Sequence, residues 1–349
     1  MVNFDGPITV IQGENGTGKT SLLEALHYMC YMRSFRTHTA RDLIAFEADN
    51  FFSKVFFEIG CDKKNDHLDC ELQIGFAQKR KVVKLNKKNI GSFKELMDFY
   101  RIVTLTEDDL WIIKGGPDVR RAFLDHALLL LEPDFLATIK EFKRVLEQRN
   151  SLLQRGSFST DQYELWTMQL WEKSRKMQLK RQKLVKMYEK SVNKILADIF
   201  DKSFEISFTY KAKNVDLQDT LDDFMQKMSK FAHQEARFCR SLFGAHLDDF
   251  CVDFQRKKSK LYASRGQQKL IVLLLKVAQI QHLEKKKGKS VFLLDDFFTD
   301  FDEKKTAILV KFLVSLECQL IFTSPSQSGF FEDLLYQVGA CKVVLEQKG

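Results

Sequence analysis

The chain opens on a short run of apolar and β-branched residues, Ile8, Thr9, Val10 and Ile11. After a glycine-rich break the rhythm changes, with apolar side chains at Leu22, Leu23, Leu26 and Met29. The first pattern predicts a strand and the second, at three- and four-residue steps, a helix. Strand-like patterns recur at 51–59, 69–76 and 101–105, and 79–89 reads as a basic hairpin with an asparagine in its turn. Helical spacing then takes over. Gly115, Gly116, Pro117 and Asp118 break the chain and start a helix at Val119, and Pro133 opens a second helix that runs through Ser151. After a link at 155–160 a third helix, capped by Thr160 or Asp161, carries Trp166, Leu170, Met177, Leu184, Tyr188, Val192, Ile195 and Ile199. A strand at 204–210, helices at 217–238 and 269–281, and an apolar strand at 290–294 complete the pattern. Helices flanked on both sides by strand-rich segments predict an α/β mixed-sheet domain with an inserted, mostly helical second domain. The expected boundaries are 1–115 and 241–349 for the two parts of the head and 116–240 for the helical lobe.

Composition narrows this picture only modestly. With 349 residues, 44% of them hydrophobic, the chain can bury two cores. The formal charge of +8 is compatible with nucleic acid. The most basic stretch of the helical region, 173–190, holds eight basic residues and the single acidic Glu189, a candidate DNA-facing helix or a solvated face. The hairpin at 79–89 offers six more basic residues, either to track phosphates or to protect a sheet edge, and Arg33 and Arg36 sit in a polar loop able to approach nucleotide or DNA. Seven cysteines with no C-x-x-C pair read as free thiols in a reducing cytosol. No apolar run reaches membrane-spanning length, which excludes a membrane-embedded transporter subunit but not the ATPase subunit of one.

The break after the first strand is Gly13, Glu14, Asn15, Gly16, Thr17, Gly18, Lys19 and Thr20, the G-x-x-x-x-G-K-T pattern of a phosphate-binding loop. Its glycines let successive N–H groups turn toward one anion, and it opens into a helix N-terminus that favours phosphate. Lys19 is placed to reach the β/γ-phosphates of ATP and the Thr20 hydroxyl to ligate Mg²⁺. Downstream, four apolar residues run into Asp295 and Asp296. This describes a buried parallel strand whose end emerges at the ligand crevice, with Asp295 holding Mg²⁺ and Asp296 orienting the attacking water. Ser264, Gly266 and Gln267 stand at the start of another helix, a second anion site. Two phosphate sites with one acidic strand suit an ATPase whose nucleotide is sandwiched between two copies of the chain.

Along the chain the order is glycine loop, Ser264-Arg265-Gly266-Gln267-Gln268, then Leu293-Leu294-Asp295-Asp296, and in this order the three motifs resemble the ATP-binding-cassette ATPases. More closely, the chain resembles the RecF family of bacterial DNA repair proteins. The likeness rests on Arg33 to Thr37, Lys114 to Pro117, the Arg120-Arg121-Ala122-Phe123-Leu124-Asp125 and Gln148-Arg149-Asn150 elements, Gly244 with His246, and Asp248-Asp249. It implies a cassette-type P-loop ATPase head and a slow, DNA-dependent ATPase that dimerises on ATP with Mg²⁺. It further implies a cytoplasmic role in recombinational repair, replication and the SOS response, helping load recombinase at single-strand gaps with the RecR and RecO mediator proteins. Three departures stand out. The family's first strand, with its Phe-Arg-Asn, has no counterpart. Ala245 and Leu247 replace a proline and a basic residue. Thr299, Asp300, Phe301 and Asp302 replace Ser-Glu-Leu-Asp. Three other readings stay open: the ATPase subunit of a transporter, a nuclease-associated ATPase, and a DNA clamp with little turnover.

Overall fold

A computed structural model describes residues 2–346 apart from 38, 46–47, 61–66, 79, 92–94, 97–100, 157–158, 201–203 and 326–328. Lys79 of the expected hairpin, Ser157 and Phe158 of the expected link, and Cys61 among the cysteines thus lie outside the described residues. The chain forms two compact units, Met1–Asp109 with Gln279–Gly349, and Leu110–Ala278. The segment 241–278, expected with the head, groups with the helical unit.

In the first unit, β1 (Ile8–Gly13) leads through the phosphate-binding loop to α1 (Lys19–Tyr31). An antiparallel sheet follows, made of β2 (Asn50–Gly60), β3 (His67–Ala77), β4 (Arg80–Leu85) and β5 (Lys88–Asn89), and then β6 (Ile102–Leu105). Both predicted strands of the 51–76 stretch and the hairpin are present. After the second unit the chain returns as β10 (Val291–Leu294), β11 (Gln319–Pro325) and β12 (Cys341–Val344), with two helices, Glu303–Val314 and Gly329–Gln337. These strands build a sheet of order β12-β1-β11-β10-β6, parallel at every pairing. Val10, Ile11, Phe292, Leu293, Leu294 and Phe322 are buried in it. A strand covered on both faces needs no polar alternation, which is why β1 and β10 read as continuous apolar runs.

The second unit is helical around a small sheet of β7 (Ile206–Lys211), β8 (Asp249–Phe254) and β9 (Lys257–Lys258). Its first long helix, α2 (Pro117–Leu131), begins two residues earlier than the periodicity predicts, because Pro117 fits the first helical turn. Next come α3 (Phe135–Arg155) and α4 (Thr160–Ile199), the latter 40 residues long. Neither Thr160 nor Asp161 caps α4. Ser159 does, accepting from Gln162 N while the Gln162 side chain accepts from the Ser159 amide. The single helix expected at 217–238 is broken into α5 (Leu221–Met228), a 3₁₀ turn at Ser229–Phe231 and α6 (Ala232–Phe238). The last helix, α7 (Arg265–Lys287), starts in this unit and runs into the other.

The basic stretch 173–190 is not one open DNA-facing surface. Arg181 is buried, clamped by both oxygens of Asp125 at 2.7 and 2.8 Å and donating to Ala245 O at 2.6 Å. Lys173 and Lys180 pair with Glu141 and Glu132, and Arg175 donates to Asp219 O while stacking on Trp171. The heptad-like spacing that puts apolar residues inside brings some of these cations to the packed side as well.

Candidate functional site

The parallel sheet explains how distant residues meet. Gly13 at the end of β1 lies beside Pro325 of β11, and Leu294 of β10 beside Phe322 of β11. All three strands point the same way, so the loop after β1, the carboxylates after β10 and the end of β11 emerge along one edge.

The loop has glycine where geometry demands it. Gly16 and Gly18 have φ of +90° and +92°, the left-handed region. At Gly13 a Cβ would come within 2.5 Å of Thr17 Oγ1 and 2.7 Å of Leu345 O. Thr17 closes the turn by donating to Glu14 O at 2.9 Å, while Glu14, Asn15 and Gly16 face outward. Lys19, only 5% exposed, threads back into the loop and donates to Gly13 O at 2.9 Å and Glu14 O at 3.1 Å. Its ammonium is thus folded back against the loop on two carbonyl partners that a phosphate can replace.

Thr20 Oγ1 donates to Asp295 Oδ1 at 3.1 Å, joining loop and acidic strand. Thr323 of β11 supplies a third group. Its hydroxyl lies 2.9 Å from Asp295 Oδ1 and 3.2 Å from Asp296 Oδ1, and accepts from the Asp296 amide at 2.8 Å. One O–H serves one carboxylate at a time, and the shorter distance gives it to Asp295. Burial raises the Asp295 pKa, and the Thr323 and Thr20 hydroxyls work against that rise. Asp296 has φ of +42°, a left-handed conformation that aspartate tolerates better than most residues. The donor set of one hydroxyl and one carboxylate fits Mg²⁺, which keeps several waters and takes its remaining ligands from phosphates. No cluster of three or more His, Cys, Asp or Glu suited to a metal exists among the described residues.

Thr323 escapes sequence reasoning because nothing in its local pattern marks it. A threonine ending an apolar strand is ordinary, and only strand order puts it between the two acidic groups. Arg36 is held 3.6 Å from Glu24, itself contacted by the Ser34 hydroxyl, and its positive charge works weakly against the burial that raises the Asp295 pKa. The Thr299 to Asp302 departure has a packing reason. Phe301 joins Phe297 and Phe298 at ring separations of 6.0 and 5.9 Å, and Asp302 caps the helix Glu303–Val314 by accepting from Lys305 N at 2.9 Å. A cleft of about 290 Å³, walled by Phe298, Phe301, Phe330 and Phe331, opens beside Asp296 and Thr323.

Ser264, Gly266 and Gln267 belong to the second unit and form a group of their own. Ser264 is exposed and caps α7. It accepts from Gln267 N at 3.3 Å, and the Gln267 side chain accepts from the Ser264 amide at 2.8 Å. Gln268 braces the turn by donating to Ala263 O at 3.0 Å.

Residues 1–343 match the family described as RecF/RecN/SMC N terminal domain. A protein of Geobacter sulfurreducens named DNA replication and repair protein RecF is 30% identical over 332 residues, spanning 94% of this chain and 89% of that one. The chain belongs to the RecF family. A RecF of Geotalea daltonii is 28% identical over 91% of this chain and 86% of its own length. The solved structure of the recombination mediator protein RecF with ATP superposes with a TM-score of 0.80 at 23% identity, covering 94% of this chain and 88% of that one, a likeness of fold. The fold is thus the mixed α/β P-loop ATPase with an inserted helical domain.

Of the elements that carried the RecF resemblance outside the nucleotide motifs, Arg33, Arg36 and Gln148 are exposed, whereas Arg120, Arg121 and Arg149 are held by partners within the second unit. Arg120 clamps Asp249 through Nε and Nη2 at 2.6 and 2.9 Å, and Arg121 donates to Asp248 O at 2.8 Å. Asp248 is fully buried and accepts from Tyr210 OH at 2.6 Å and Gln178 Nε2 at 3.1 Å. Arg149, also fully buried, grips both oxygens of Glu235 at 3.0 and 2.5 Å, and Asn150 accepts from the Ser241 amide at 2.9 Å. In RecF-family terms these arginines brace the helical unit from inside.

Proposed function

We propose that this chain is a slow, DNA-dependent ATPase of recombinational repair and replication, and that ATP is the ligand of the phosphate-binding loop. The observation that carries the reading is the convergence of Lys19, Thr20, Asp295, Asp296 and Thr323 on one sheet edge. In this reading the loop amides from Gly13 to Thr20 bind the phosphates, and Lys19 leaves its carbonyls for the β/γ-oxygens. Thr20 and Asp295 hold Mg²⁺, which when bound draws charge from the phosphate oxygens. Asp296 orients the attacking water and accepts its proton. Ser264, Gly266 and Gln267 of a second copy complete the γ-phosphate side, so ATP links a homodimer and hydrolysis releases it. The names of the relatives, DNA replication and repair protein and recombination mediator, support DNA as partner, and we extend this to duplex or a single-strand/double-strand junction. We extend the reading to the RecR and RecO mediators, to the SOS response and to the cytoplasm. No helix among the described residues is long and apolar enough to cross a membrane.

The test is ATP hydrolysis with and without gapped duplex, for wild type and Lys19→Ala, with size-exclusion chromatography of Asp296→Asn in ATP. DNA-stimulated turnover lost in Lys19→Ala and an ATP-dependent dimer of Asp296→Asn are expected. Turnover indifferent to DNA, with no DNA retained, would overturn the reading in favour of a transporter-type ATPase. DNA retention without turnover would make the chain a clamp.

A further inference from the structure

The antiparallel sheet of the first unit has two unlike faces. Strict alternation puts Leu72, Ile74, Val83 and Leu85 on the buried face, where Phe51 also meets Tyr28 of α1 edge-on at 5.4 Å. The opposite face is open and carries large aromatic side chains. Phe52 and Phe56 are 62% and 59% exposed, and Val82 is 51% exposed. The register orders this face in rows: Phe52, Gly75 and Val82, then Lys54, Gln73, Lys84 and Asn89, then Phe56 and Glu71. Arg80 opposite Ala77 lies beyond the first row, and Glu58 opposite Asp69 beyond the last.

The Phe52 ring lies across Gly75, with Cδ2 3.8 Å from where a Cβ would stand, so its outer side is a flat platform. Lys54 sits between the two rings, 4.6 Å from the Phe56 centroid and 2.9 Å from Glu71. Phe52 and Phe56 are four residues apart on one strand, about 13 Å at roughly 3.3 Å per residue. Exposed rings on a four-stranded sheet, alternating with cations, are what stacked bases and their phosphates require. A protein-binding core would instead deplete lysine and join the apolar groups into one patch.

We propose that this face binds single-stranded DNA, with bases stacked on Phe52 and Phe56 and phosphates on Lys54, Lys84 and Arg80. The inference rests on the DNA-binding reading above and adds to it a place. The gradient of charge along the face, from Arg80 to Glu58 and Asp69, limits the footprint to a few nucleotides.

The test uses the full chain and fluorescence anisotropy with a labelled oligothymidylate about 15 nucleotides long, alongside a duplex of equal length. Both phenylalanines are exposed, so Phe52→Ala/Phe56→Ala leaves the buried face of the sheet untouched. The double variant is expected to bind the single strand about tenfold or more weakly, with duplex affinity and Lys19-dependent ATP hydrolysis at wild-type level. Lys84→Ala is expected to flatten the single-strand salt dependence by about 0.7 in log–log slope. Photocrosslinking of bromouracil-substituted oligonucleotide should map to Phe52 or Phe56. Unchanged single-strand binding by the double variant, equal weakening on duplex, or a wild type that binds duplex but no single strand would each overturn the proposal while leaving the ATPase reading intact. A wild type that binds no DNA of either kind would overturn both.

Discussion

Replacing Arg149 by methionine tests whether the Gln-Arg-Asn element is a brace or a DNA contact. The guanidinium is fully buried and makes two bonds to Glu235, one to Ser241 at 2.8 Å and two to Thr167 at 3.2 and 3.0 Å. It also lies 4.9 Å from the ring centroids of both Tyr163 and Phe243. Methionine keeps much of the volume but leaves the Glu235 carboxylate without its cation. Breaking a buried pair from one side costs about 3–5 kcal/mol. Glu235 retains Tyr163 OH at 2.6 Å and Leu242 N at 2.7 Å, which favours the lower half of that range, about 3–4 kcal/mol. The assay is urea unfolding followed by tryptophan fluorescence. All three tryptophans, Trp111, Trp166 and Trp171, lie in the unit that contains Arg149, so the signal reports that unit alone. At a slope of about 2 kcal/mol per molar urea the midpoint should fall by roughly 1.5–2 M. Arg149→Met/Glu235→Leu should recover part of the loss, since an apolar pair carries no desolvation cost, although the Thr167, Ser241 and Tyr163 hydroxyls are then short of partners. A midpoint within about 0.5 M of wild type, together with weakened DNA binding, would refute the reasoning and move Arg149 to a DNA-contacting role.

Thr323→Val should lower ATP turnover about tenfold or more while changing ATP affinity little, because the hydroxyl donates to the Asp295 carboxylate and accepts from the Asp296 amide; a purely packing role would leave single-turnover kinetics unchanged. Ser264→Arg should leave ATP binding by the isolated protomer intact and abolish the Asp296→Asn dimer; loss of binding itself, measured by equilibrium dialysis, would place the signature on the protomer's own nucleotide. His246 is held well below its ordinary value, to about 4, by burial and by the charges of Arg121, Arg149 and Arg181. Its folded pKa lies below the unfolded one, so the stability it contributes is present above about pH 6.5 and is lost as pH falls toward 4. The stability difference between wild type and His246→Gln should therefore shrink across that window in tryptophan-monitored unfolding; a pH-independent difference would contradict it.

The phosphate loop and the acidic strand were legible because their chemistry is written in consecutive residues. The spacing of Gly13, Gly18, Lys19 and Thr20 fixes a backbone shape, and an apolar run ending in Asp295 and Asp296 fixes a buried strand with an acidic end. What escaped the sequence is what depends on strand order and on partners far along the chain. Thr323 became part of the site because β11 lies between β1 and β10. The cations of 173–190 read as an open surface because Asp125 and Glu132, which hold two of them, are tens of residues away. Ser159 was passed over as a cap in favour of its neighbours, since Ser, Thr and Asp in succession are chemically near-equal and only backbone geometry chooses among them.

At the start of the helix that follows Ser264, that residue's own hydroxyl takes up the Gln267 amide. A protomer by itself therefore leaves no idle amide at Gln267 for an incoming anion to claim. A phosphate from a second copy would enter by exchange, displacing the serine hydroxyl and gaining only the difference between a charged acceptor and a neutral one. In the proposed dimer such an exchange would keep the grip of one copy on another shallow, and it would return the Gln267 amide to the serine hydroxyl the moment the phosphate leaves. Release from that dimer would then be as undemanding as capture.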